Sequence, residues 1–166
     1  MWNETIAGRG SCEIACCLWN MFKMLPTTMD KITLYSDSCT GQNRNCFVAA
    51  MMLAAVTIFP VSQIDHKFLE SGHTQMEVDN MHSCIERNSK SVDVFLSRDW
   101  EVNASAACKE SKPYNVMSLN QDDVMNCKYV TQKLITNKNK ADDGSICNWK
   151  QVKWIRYSNN NKKKYN

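Results

Sequence analysis

The alternation of apolar and polar positions divides the first hundred residues into regular elements. Behind Gly8 and Gly10, residues Ile14, Leu18, Met21 and Leu25 recur at i, i+4, i+7 and i+11, one face of a 3.6-residue period. The spacing predicts a helix that opens near Ser11 and is ended by Pro26. Ile32 and Leu34 then alternate with Thr33 and Tyr35, which predicts a strand from Lys31 to Ser36 running into Asp37, with Gly41 in the turn beyond. From Asn43 or Asn45 to Phe59 the chain is rich in Ala, Met and Leu and apolar around most of its circumference, as expected of a helix covered on two sides and stopped by Pro60. Gln63 to Leu69 reads as a second strand, Ser71 and Gly72 as a loop, and Met76 to Asn88 as a third helix. Helix, strand, helix, strand, helix is the signature of an α/β fold with a mainly parallel sheet and crossover helices.

After about Trp100 long apolar periods give way to Asn, Lys and Ser. Tyr114 to Leu119 reads as a strand, Asp122 to Ile135 as a helix, and Val152 to Tyr157 as a strand alternating apolar with basic residues. The expected organisation is a core over residues 1–100, a small α+β extension over 101–158, and a basic frayed tail over 159–166.

Composition narrows the class. With 166 residues and 43% hydrophobic content, the chain is long enough to bury one globular core. The longest apolar run, Val48 to Phe59, is only about half of the roughly 20 residues that a bilayer span needs, which argues against a membrane partner. The amino terminus lacks the basic start and apolar stretch of a secretory leader, so the expected location is intracellular, nuclear or cytoplasmic. Nine cysteines with no CxxC pairing then read as reduced, mostly buried thiols. The net charge of +3 does not by itself argue for nucleic acid. Its distribution says more, because Lys150, Lys153, Arg156 and Lys162 to Lys164 follow one another with no acidic residue between them.

Candidate chemistry gathers in two places. Asp37 ends a strand, where ligands collect in open α/β sheets and where an Asx-turn is also common. About forty residues on come His73, Glu77, Asp79, His82 and Glu86, around a helix start. Together these suggest a site for a hard divalent cation, which takes oxygen ligands. Glu77 and Asp79 are separated by roughly 200° on a regular helix, so only one can face a given metal. Asp79 is favoured if the helix runs regularly from Met76, and either acid serves if Glu77 precedes the first turn. Arg44, within the polar run Gln42 to Asn45, stands where a helix amino terminus can hold a phosphate, and His73 can touch a phosphate, a metal-bound water or the loop backbone. Trp149, Trp154 and Tyr157 interleave with Lys150, Lys153 and Arg156, a pattern that suits nucleic-acid strands and equally suits an edge strand with one buried face.

The segments WNETIAGRGSCEIACCL, YSDSCTGQNRN and FLESGHTQMEVDNMHSCIER, in that order, resemble a family of transposon-derived, transposase-like proteins of invertebrate genomes, over Trp2 to about Tyr157. The resemblance implies a partial ribonuclease-H-like core of the integrase and transposase type, a mixed sheet with crossover helices. It also implies DNA as substrate, Mg²⁺ or Mn²⁺ as cofactor with no small-molecule cofactor, and assembly as a homo-oligomer. It makes Asp37 the second carboxylate and puts the third in the GHTQMEVD segment, at Asp79 more often than at Glu77. The first catalytic Asp of that fold belongs to a strand upstream of the WNET segment. A chain opening at Met1-Trp2-Asn3-Glu4 is therefore expected to be the carboxy-terminal part, with little cleavage activity alone and with one edge of the Asp37 strand unpaired. Two functions follow as expectations: metal-dependent DNA phosphodiester cleavage and strand transfer in a full-length protein, or a non-enzymatic DNA-binding or protein-interaction module derived from one.

Overall fold

The structure, a computed structural model, describes all residues except 4, 71, 73–75, 91, 109–112, 142 and 160–166. Its elements in chain order are α1 (Ser11–Lys23), β1 (Lys31–Ser36), α2 (Cys46–Ile58), β2 (Gln63–Phe68), α3 (Glu77–Ser89), α4 (Ser97–Ala106), α5 (Cys127–Leu134) and β3 (Trp154–Ser158). The chain is α/β and divides into two compact units, one of residues 9–74 with 125–166 and one of residues 1–8 with 75–124.

The first unit is built on a three-stranded mixed sheet in the order β1-β2-β3. β1 lies parallel to β2, with Lys31 opposite Gln63 and Ser36 opposite Phe68. A parallel pair needs a crossover, and α2 supplies it. β3 returns antiparallel to β2, pairing Ser158 with Gln63 and Trp154 with Lys67. Alternation along the strands sends Ile32, Leu34, Ile64, His66, Phe68, Ile155 and Tyr157 to one face and Thr33, Tyr35, Asp65, Lys67, Trp154 and Arg156 to the other.

α2 fills the centre of this unit. Asn45 caps it, its Oδ1 accepting from the Phe47 and Val48 amides at 3.0 and 3.2 Å. Val48, Ala50, Met52, Ala55 and Val56 are fully enclosed, because α1, α5 and the sheet all pack against this helix. Its alanines let neighbouring backbones approach, and its larger apolar side chains each contribute roughly 1.5–3 kcal/mol on burial. At its end, Phe59 meets Trp19 of α1 edge to face, ring centroids 4.7 Å apart.

In the second unit, α3 packs on α4 through a polar seam. Asn103 is buried and donates from Nδ2 to Ser89 Oγ at 2.9 Å, while Asn88 Nδ2 donates to the Asn103 carbonyl at 3.1 Å. The Leu119 amide reaches the Met1 carbonyl at 2.8 Å, tying the amino terminus into this unit.

Three sequence expectations are corrected here. Tyr114 to Leu119 forms no strand; its backbone meets other segments at separate points, the Tyr114 amide at the Ser105 carbonyl at 3.2 Å and the Leu119 amide at the Met1 carbonyl. The helix expected over residues 122–135 is a 3₁₀ turn, Gln121–Asp123, followed by the separate α5, because Asn120 caps the turn and Asn126 caps α5. α4 was not anticipated; its Asp99 secures the start by accepting from the Leu96 amide at 2.8 Å. Among the described residues no helix is long and apolar enough to cross a membrane.

Candidate nucleic-acid interface

β1 carries Ser36 and Asp37 to its carboxyl end, the side of a parallel pair on which ligands gather. Asp37 is half-buried, and its Oδ1 accepts from the Cys39 amide at 3.0 Å and from Asn43 Nδ2 at 2.6 Å. The first of these bonds is an Asx-turn. Arg44, just before the cap of α2, donates from Nη1 to the Val152 carbonyl at 3.2 Å, and its Cζ lies 5.9 Å from the Phe68 ring centre. Its Nε is buried with no hydrogen-bond partner among the described residues.

Ser36 Oγ donates to the Asp37 carbonyl at 3.1 Å and lies 2.8 Å from His66 Nε2, so Nε2 is assigned as the protonated nitrogen that donates to Ser36. His66 is 3% exposed and lies against Phe68, ring centroids 4.2 Å apart and planes tilted by 44°. Burial pulls it down from 6.5 to about 4, which keeps the ring neutral near pH 7.

The remaining carboxylates expected from sequence lie on α3. Glu77 is the first residue of that helix and is exposed. Asp79, also exposed, accepts from the Met76 amide through Oδ2 at 2.8 Å and so closes its own helix start. His82 and Glu86 are exposed along the same helix. His73 and the lysines at 162–164 lie outside the described residues.

A different cluster stands on the outer face of the sheet. Tyr35, Lys67 and Trp154 are paired in register across all three strands, forming one row. Tyr35 is 56% exposed and Trp154 50% exposed. The Lys67 ammonium sits between them, 5.5 Å from the Tyr35 ring centre and 5.9 Å from that of Trp154. Arg156 lies over the Trp154 ring at 4.8 Å.

The next row fixes this arrangement. Asp65 Oδ1 accepts from Arg156 Nε at 2.8 Å and Trp154 Nε1 at 3.0 Å, while Oδ2 accepts from Arg156 Nη2 at 3.1 Å and Gln63 Nε2 at 2.9 Å. The Arg156 fork, opposed by burial and helped by Trp154 and Gln63, brings Asp65 down from 3.8 to about 2. Asp65 thus holds both Arg156 and the Trp154 indole in place. Lys153, on the approach to β3, forms an exposed ion pair with Glu70.

Sequence reasoning singled out Arg156 and the aromatics near it but not Tyr35, Asp65 or Lys67 as their neighbours. Strand alternation was the available signal, since 33/35, 65/67 and 154/156 fall opposite the apolar positions. Which strand pairs with which, and in what register, is not contained in alternation. Tyr157 parts from the group: it is buried on the inner face, and burial pushes its phenol above the usual range.

One oxygen of Asp37 and one of Asp79 are already occupied by amides, and among the described residues no group of three His, Cys, Asp or Glu is placed to hold a metal ion. Neither a curated protein nor a solved structure matches the chain significantly. Residues 10–163 do match one family, described as a domain of unknown function, DUF7869. That match takes in α1, the whole sheet and everything between, and the chain belongs to the DUF7869 family.

Proposed function

We propose that the chain is a non-enzymatic DNA-binding module of transposon-derived, transposase-like ancestry, holding a DNA strand on the outer face of its sheet. The observation that carries this reading is the exposed row Tyr35, Lys67, Trp154 with Arg156 beside it. Two rings offer stacking surfaces for bases, and two cations between and beside them meet phosphates. Asp65 pre-orders Arg156 and Trp154, so little side-chain freedom is lost when a strand docks.

Fluorescence anisotropy with a labelled single-stranded oligonucleotide tests the proposal. Each stacked base is worth about 1–3 kcal/mol, so Tyr35→Ala with Lys67→Ala should weaken binding on the order of tenfold or more while the circular dichroism spectrum stays that of the wild type. Equal affinity for the folded double variant and the wild type would sink the reading, as would a wild type that fails to bind at low salt.

A second reading has one observation in its favour. Asp37 stands at the carboxyl end of β1, beside a parallel β1-α2-β2 crossover, as in the ribonuclease-H-like core that the sequence resemblance implies. On this reading the protein cuts and joins DNA phosphodiesters, with Asp37 turned toward a divalent ion.

A further inference from the structure

Two thiols that the DNA-binding reading leaves unused meet in the core of the sheet-bearing unit. Cys16 lies in the middle of α1 and Cys127 is the first residue of α5, 111 positions away. Their Sγ atoms are 3.9 Å apart, and the residues are 0% and 1% exposed. The surroundings of the two sulfurs differ. The Met125 amide donates to Cys16 Sγ at 3.2 Å, just ahead of the amino end of α5, while the Cys127 thiol can donate to the Cys12 carbonyl at 3.4 Å or to Cys16. An amide donor at a sulfur favours its thiolate.

The bond from Cys127, opposed by burial and aided by the Met125 amide, lowers the Cys16 thiol from its usual range. Cys127 is raised, first by that same bond and then by burial. Cys12 and Cys17, nearby on α1, are both raised by burial. The Met125 amide donor makes Cys16 the readier nucleophile of the pair, with the Cys127 thiol in contact with it.

We propose that Cys16 and Cys127 form an oxidisable dithiol that takes up a peroxide and becomes a disulfide joining α1 to α5. In the first step the Cys16 thiolate attacks one peroxide oxygen and the O–O bond breaks. Hydroxide leaves and takes a proton to become water, and Cys16 becomes a sulfenic acid. In the second step Cys127 attacks the Cys16 sulfur. The S–O bond breaks, hydroxide leaves with the proton that Cys127 gives up, and a second water forms. In sum, two thiols and one hydrogen peroxide give one disulfide and two waters. The sulfurs lose two electrons and the peroxide gains two. The sulfurs must close from 3.9 Å to about 2.0 Å. Because both sulfurs are enclosed, the reaction waits on brief opening of the α5 end and should be slower than oxidation of the exposed Cys39.

The test uses the full chain, hydrogen peroxide, alkylation under denaturing conditions and peptide mass spectrometry. The expected product is a linked peptide pair, two hydrogens lighter than its parts, joining Cys16 to Cys127. It should persist in Cys12→Ser and Cys17→Ser, vanish in Cys127→Ser, and revert with dithiothreitol. Closing so long a loop should also raise the melting temperature of the oxidised wild type by roughly 5 °C or more. Recovery of Cys16 and Cys127 alkylated, or oxidised singly, after Cys39 has fully reacted would overturn the proposal. So would a linkage that joins Cys12 or Cys17 to Cys127 instead. The wild-type result alone decides, whatever the folding of the variants.

Discussion

At the scale of single residues, His66 shows how a strand position takes its character from what it faces. It lies between Asp65 and Lys67, both on the outer face, and points inward to Ser36 and Phe68. Its pKa near 4 in the folded chain is below the 6.5 of an exposed ring, so the unfolded chain binds the proton first as the pH falls. Stability from this group is therefore fully present above about 6.5 and declines steadily down to about 4. A shift of this size corresponds to roughly 3 kcal/mol. Urea titrations at pH 5 and 7 should show the wild type losing stability at the lower pH, with most of the difference abolished in His66→Gln. An unchanged difference in that variant would assign it to other groups. Alternation with Asp65 and Lys67 puts His66 on the face of Ile64 and Phe68, but its Ser36 partner follows only from the β1-β2 register. Asp37 is the opposite case: its Asx-turn was legible in the residues that follow it, whereas its bond from Asn43 required the turn to be folded.

At the scale of elements, those with a clean hydrophobic period were readable and those without one were not. α1, β1, α2, β2 and α3 each sit within two residues of the pattern that predicts them. α4 and α5 are set instead by Asp99 and Asn126, and such residues are equally at home in loops. Asn45 offers the cleanest test of a cap, since its Oδ1 takes two amides at the start of the helix on which the core is assembled. Asn45→Ala should cost about 0.5–2 kcal/mol in chemical denaturation, and Asn45→Asp should recover most of it. No loss in the alanine variant would show that water satisfies those amides equally well.

At the scale of the whole molecule, each compact unit is assembled from two separate stretches of chain, and no local pattern announces that. The order of elements was legible from α1 to α3; α4 and the partnership of β3 with β2 were not. As a DNA-binding module, the chain is expected to release no more fragments from DNA with Mg²⁺ or Mn²⁺ than its Asp37→Asn variant does. Metal-dependent cleavage by the wild type that Asp37→Asn abolishes would restore the nuclease reading. The antiparallel return of β3 also bears on the birth of the protein. Roughly 90 residues lie between the end of β2 and the end of β3. At about 5–20 residues per second of synthesis, β2 spends several seconds on the ribosome with one flank of amide and carbonyl groups open. Lys67, a cation in the middle strand, guards that flank against a neighbouring nascent chain until Trp154 arrives to cover it.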